Sequence, residues 1–182
     1  MTHHILNRRK VILSGAASLL AAPAIAQTPS ATATRNIASF VQQDWRDHFD
    51  TMGVATIVAD TASRALHFWK GDIYHVYPTS VPISEELTKR GYTEIVRKRV
   101  GPDWTPTASQ RERFDWEYIP PGPNNPLGTH AMYLSWPAYI IHGTHDTRKI
   151  GRPSSDGCIG LYNETIAKLF DITPIGTQVR II

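Results

Sequence analysis

Cys158 is the only cysteine of the chain, and it sits in the run Ser154-Ser155-Asp156-Gly157-Cys158-Ile159. A glycine before a cysteine frees the backbone for a tight turn that can present its N–H groups beside the sulfur. Such a turn suits acyl transfer. Attack on a carbonyl creates an oxyanion, and backbone N–H groups already in place at the nucleophile hold that charge with little rearrangement. Upstream, His142 ends the apolar run Ala138-Tyr139-Ile140-Ile141 and opens the turn His142-Gly143-Thr144. From a strand end an imidazole can face a cleft and take the thiol proton. A plainer assignment fits the same two residues: a buried small hydrophobe at 158 and a hydrogen-bonded strand-end histidine at 142. His142, His145, Asp146 and Cys158 are also competent metal ligands. The His-x-x-His pair lies in a turn, however, lacks the glutamate of metalloprotease helices and has no second cysteine pair, so no metal is expected.

The surrounding elements must bring these groups together. Val54–Ala59, Ala65–Trp69 and Ile73–Tyr77 are β-rich and separated by polar turns, which predicts a meander of short antiparallel strands. Ala131–Leu134 and Ala138–Ile141 read as strands that deliver His142. Thr165–Phe170 reads as a short helix, and Gln178–Ile182 as a closing strand after Gly176. For Ser84–Arg99, Ser84 as a cap and Glu85 four residues before Lys89 predict one or two short helices broken at Gly91. The cluster Arg97-Lys98-Arg99 reads as a solvated face. Residues 101–128 hold six prolines, so loop and turn are expected there, in a length of chain that commonly carries binding function. Trp104, Trp136 and Tyr139 are suited to a cleft wall or to the core.

With 182 residues, 41% hydrophobic and 19% charged, the composition fits one globular domain. The formal charge of +3 is accounted for by Arg8, Arg9 and Lys10, which leaves a near-neutral body and no electrostatic reason to bind nucleic acid. Those basic residues precede the apolar run Val11–Ala22 and the small-x-small site Ala24-Ile25-Ala26, a pattern that predicts a cleaved export signal over residues 1–26. Its paired arginines resemble a twin-arginine signal, and an ordinary secretory signal can also contain them. Ser14, Gly15 and Pro23 leave the apolar run too short to span about 30 Å of hydrocarbon, so no membrane span is expected after cleavage. In the oxidising space beyond, a lone cysteine can form no intrachain disulfide. Residues 27–35 are small and polar and predict a flexible leader, with the folded body starting near Asn36. The expected division is therefore 1–26 signal, 27–50 leader and short N-terminal segment, and 51–182 catalytic domain.

Several elements in order strengthen the acyl-transfer reading. Ile141-His142-Gly143-Thr144, Ile150-Gly151, Ser155-Asp156-Gly157-Cys158-Ile159-x-Leu161-x-Asn163 and Gly176-Thr177-x-Val179-x-Ile181 resemble the signature of the L,D-transpeptidase (YkuD-type) catalytic domain. Trp104-Thr105-Pro106-Thr107 and Asn125-Pro126-Leu127-Gly128 resemble its upstream elements. The resemblance implies a mainly β domain with short helices, sandwich- or barrel-like, running from about Val54 to Ile182. It also implies an enzyme in the periplasm or cell wall that needs no cofactor. In it a cysteine attacks a peptidoglycan stem peptide at an L-configured centre, and an amine resolves the thioester into a cross-link. Carried over, Cys158 is the nucleophile and His142 the base, the Gly143 carbonyl orients the imidazole, and the Gly157 and Cys158 amides hold the oxyanion. Ser155, Asp156 and Thr144 are the expected substrate contacts.

Two positions depart from the resemblance. Asp156 stands where the family commonly has histidine, and Gly160 where it commonly has arginine. The added carboxylate disfavours a nearby thiolate, and the missing guanidinium removes a bidentate carboxylate partner. Asp156 is then either a turn residue or an attractor for a substrate ammonium, and the link made is 3-3 or, given these changes, 1-3. A hydrolytic L,D-carboxypeptidase or amidase and a catalytically weak wall-binding module fit the same residues. Ser80–Val100 reads as an insertion able to roof the site, and the residues specify no oligomeric state.

Overall fold

The computed structural model describes residues 41–182, so the signal over 1–26 and the leader up to residue 40 lie outside the described residues. Thr56–Asp60 (β1), Ala65–Lys70 (β2) and Ile73–Pro78 (β3) form the expected antiparallel meander. Its first turn is closed by Asp60, whose carboxylate accepts from the N–H of Ala62 and of Ser63 and from the Ser63 hydroxyl. Its second turn is tight and places Gly71 at φ +54°, a backbone shape that favours glycine. The remaining elements in chain order are β4 (Val81–Pro82), β5 (Gly91–Val100), α1 (Ala108–Phe114), β6 (His130–Leu134), β7 (Ile140–His142), β8 (Pro153–Ser155), β9 (Ile159–Gly160), α2 (Asn163–Ile172) and β10 (Gln178–Ile181).

Eight strands make one sheet in the order β3-β2-β1-β10-β5-β6-β7-β9, and β4 pairs with β8 in a separate two-stranded sheet. The C-terminal strand β10 lies parallel to β1 and antiparallel to β5, so it joins the meander to the half that carries His142. Side-chain alternation sorts that half into two faces. Met132, Ile141 and Ile159 are cross-strand partners and pack in the core with Ile166 and Leu169 of α2. Residues between them point the other way, toward a groove. Burying each large apolar side chain contributes about 2 kcal/mol, which holds α2 against one face and leaves the other for chemistry. The chain before residue 51 is also packed: Phe49, with 8% of its surface exposed, lies against Val58 and Trp69.

The mainly β reading and the strands flanking His142 match the structure. Ser84–Arg99 does not: only Glu85–Leu87 forms a single 3-10 turn, and Gly91–Val100 is the longest strand, placed centrally between β10 and β6. Within Ser80–Val100, expected to roof the site, the second half is a strand of the main sheet. The basic run alternates as a strand must. Arg97 lies over the Tyr133 ring, Lys98 turns to the opposite face, and Arg99 pairs with Asp103. Lys98 Nζ donates to the carbonyls of Phe170 and Thr173, the latter at 2.7 Å, and so satisfies acceptors that the end of α2 leaves open. Within the proline-rich stretch, α1 forms where loop was expected. Thr107 and Gln110 make a reciprocal capping box there, a Thr-x-x-Gln signal present in the sequence.

Lys98→Met removes the ammonium and keeps an unbranched apolar side chain, but strands the α2 carbonyls. Urea unfolding is expected to show a loss of about 1–2 kcal/mol.

Candidate active site

Three segments meet at His142. β7 ends on it, the Gly143-Thr144 turn follows, and the first residue of α2, Asn163, packs against that turn. A Cβ at Gly143 would collide with Asn163 Oδ1, and one at Gly128 would collide with that same atom and with the Gly143 and Thr144 backbone. Gly128 also holds φ +64°. Asn163 Oδ1 accepts from the Thr129 N–H at 3.1 Å, which fixes the junction from the α2 side. The junction aims the Gly143 carbonyl at His142 Nδ1, and the two are hydrogen-bonded. A donor at Nδ1 leaves Nε2 as the basic nitrogen of the neutral ring.

Cys158 reaches the same place along the neighbouring strand. β7 and β9 run parallel with Ile141 beside Ile159 and His142 beside Gly160. Cys158 therefore falls next to Ile140, on the groove face that also carries His142, and both side chains line one groove. The thiol donates to the carbonyl of Ala138 at 3.6 Å. Ala138 is held at φ +64°, a strained conformation for a residue with a Cβ, and its carbonyl is the one that accepts from the Cys158 thiol. Gly157, at φ +128°, passes close under the Tyr139 ring and the Leu87 carbonyl.

Burial sets the charge state. It lowers the His142 pKa from 6.5 to about 4, helped by Lys149 and opposed by the Gly143 carbonyl. It raises the Cys158 thiol from 9.0 to about 11, with Asp156 adding to the rise and the Ile140 backbone opposing it. Near neutral pH the resting pair is thus thiol and imidazole, both uncharged.

The other expected contacts divide. Asp156 lines the groove, and its Oδ2 accepts from Gln110 Nε2 at 3.1 Å, which ties α1 to the cysteine turn. The Ser155 hydroxyl is used within the turn: it donates to the Cys158 carbonyl at 2.6 Å and accepts weakly from the Gly157 N–H at 3.4 Å. Thr144 is buried, and its hydroxyl accepts from the Asp146 N–H at 3.1 Å. Trp104 and Tyr139 line the groove, whereas Trp136 stands behind Tyr139 with ring centroids 5.6 Å apart. Among the described residues no three His, Cys, Asp or Glu side chains gather to hold a metal. The Asp146 carboxylate is engaged by Arg148.

Sequence reasoning assigned no role to Gln110, Gly128, Asn163 or Ser80. The capping-box spacing signals Gln110, and the quoted motifs contain Gly128 and Asn163. Nothing local signals Ser80, which forms a two-bond bridge with Gly160. Its hydroxyl occupies the space a side chain at 160 would need.

A curled, mostly-strand sheet that carries Cys158 and His142 on a single groove face defines the class, a mostly β domain with a candidate cysteine–histidine site. The model of the L,D-transpeptidase (YkuD) catalytic domain matches residues 55–181, and the chain belongs to that family. A provisionally named L,D-transpeptidase in the ATP synthase subunits region of Fuscovulum blasticum is 63% identical over 97% of this chain and 98% of its own length. The L,D-transpeptidase ErfK/SrfK of Escherichia coli K12, also known by a probable name only, is 36% identical over 69% of this chain, which spans 43% of that protein. Among solved structures, L,D-transpeptidase 3 of Mycobacterium tuberculosis superposes with a TM-score of 0.59 at 15% identity, covering 71% of this chain and 61% of its own, a likeness of fold.

The two pKa displacements predict how stability varies with pH. Unfolded His142 takes up a proton near pH 6.5 and the folded residue only near 4, so stability falls as pH drops through that window, by about 3 kcal/mol. Unfolded Cys158 loses its proton near 9 and the folded residue only near 11, so stability also falls as pH rises between them. Urea denaturation from pH 4 to 7 is expected to show a flatter acid limb in His142→Asn.

Proposed function

We propose that this protein is an exported peptidoglycan L,D-transpeptidase working through a Cys158 thioester in the periplasm or cell wall. The observation that carries the reading is the shared groove face of Cys158 and His142, with the imidazole fixed by the Gly143 carbonyl. Sulfur attacks the carbonyl of an L-configured stem residue while His142 Nε2 takes the thiol proton. Because both groups are neutral at rest, the proton moves as the S–C bond forms rather than beforehand. The Gly157 and Cys158 N–H groups hold the oxyanion; for this the Gly157 N–H exchanges its long contact to Ser155 for a better one. The C–N bond to the departing residue then breaks, and His142 returns its proton to that amine. An acceptor amine attacks the thioester, passes its proton to His142, and the sulfur leaves as thiol. Export is supported by the basic, apolar and small-x-small pattern of residues 1–26.

Incubation with a tetrapeptide stem or a carbapenem, followed by mass analysis, is expected to give one acyl adduct on Cys158. Cys158→Ala should form none, and His142→Asn should slow its formation about 10²- to 10⁴-fold. An unmodified wild-type Cys158 would overturn the enzyme reading in favour of a wall-binding module.

Asp156 is the residue proposed to draw an ammonium to the groove, its carboxylate being held by Gln110. Asp156→Asn is expected to lower the ratio of amine transfer to hydrolysis roughly two- to fivefold, the scale of an exposed ion pair. Unchanged acceptor choice and rate in muropeptide analysis would remove Asp156 from substrate recognition.

A further inference from the structure

The cross-strand register lays a single row across the groove floor. Arg97 of β5 is opposite Tyr133 of β6, and Tyr133 is opposite Ile140 of β7. The parallel step from Ile141–Ile159 sets Cys158 beside Ile140. All four residues line the groove. With strands about 4.8 Å apart, the Arg97 backbone lies roughly 14 Å from that of Cys158. The side chain folds back so that its guanidinium carbon sits 3.4 Å from the Tyr133 ring centroid. The cation therefore stands above β6, roughly 10 Å from the nucleophile's strand.

Two observations mark this cation as one held for a ligand. Arg99, on the adjacent row, is paired with Asp103, but among the described residues no carboxylate pairs with Arg97. On the Cys158 side, position 160 offers no side chain and the Ser80 hydroxyl fills the space beside it, so the cation at that end is Lys149, a point charge that acts on His142 and offers no guanidinium fork. A guanidinium stacked on an aromatic ring and open to a groove is arranged for bidentate capture of a carboxylate.

We propose that Arg97 is a donor-side specificity residue, binding the free carboxylate of an acidic residue on the N-terminal side of the acylated centre. The inference rests on the reading of Cys158 as the acylated nucleophile. An extended chain advances 3.3–3.6 Å per residue, so the cation reaches a carboxylate two to three ordinary residues from the thioester. A γ-linked acidic residue next to the acylated one reaches about as far, because its side-chain carbons become main chain and its free carboxylate hangs roughly 9 Å away.

The test compares two synthetic tetrapeptide donors that differ at one group, with γ-linked D-glutamate or its α-carboxamide as the second residue. Cys158 thioester formation is followed by mass. Wild type is expected to be acylated about tenfold faster by the acid than by the amide. Arg97→Gln should bring the acid down to the rate of the amide, and Arg97→Lys should keep part of the preference. Equal rates for acid and amide in wild type, or an undiminished preference in Arg97→Gln, would overturn the assignment while leaving the thioester intact. If Arg97→Gln fails to fold, the wild-type and Arg97→Lys ratios still decide. No thioester on wild type from either donor would overturn the nucleophile reading, and the Arg97 assignment with it.

Discussion

The hydrogen bond between His142 Nδ1 and the Gly143 carbonyl is the constraint on which the site depends. An imidazole with a fixed donor has one nitrogen left for proton transfer and one direction in which to offer it. A carbonyl can serve as that anchor only if its own peptide is immobile. Here the peptide is wedged between Gly128 and Asn163, at a junction where neither glycine can carry a side chain. The loop before β6, the turn after β7 and the start of α2 therefore meet at one point. Their convergence explains why residues far apart in sequence and without chemistry of their own decide the geometry at His142.

The sheet does the remaining positioning by alternation, corrected once in β5 by a register shift between Ile95 and Arg97. Successive residues of β5, β6, β7 and β9 face α2 or the groove in turn, so apolar packing and polar chemistry share strands without sharing surface. The same alternation sends Lys98 to the end of α2 and its two arginine neighbours to the other face. Desolvation of the half-buried cysteine and the buried histidine then suppresses both charges at rest. A neutral pair differs from a preformed thiolate and imidazolium in protecting the sulfur from oxidants, which react with thiolate.

Much of this was legible in sequence, for physical reasons that differ by element. β1 to β3, β6, β7 and α2 carry dense β-branched or amphipathic patterns, and the structure follows them. The cysteine and histidine were legible because glycine neighbours marked turns. β5 was misread because its charged residues mimic the spacing of a solvated helix, and only the cross-strand neighbours supplied by β10 and β6 decide its shape. α1 was hidden by the prolines around it, although its cap was written in Thr107 and Gln110. The Ser80 contact was illegible, because no local pattern reports a bridge between distant segments.

That bridge ties two distant positions into one structural unit. Ser80 and Gly160 exchange backbone bonds in both directions, and the serine hydroxyl fills the volume beside the glycine. A side chain at 160 would meet the Ser80 hydroxyl, so the serine must turn away or give way to admit it. The groove's edge is thereby shaped by a loop remote in sequence from the sulfur.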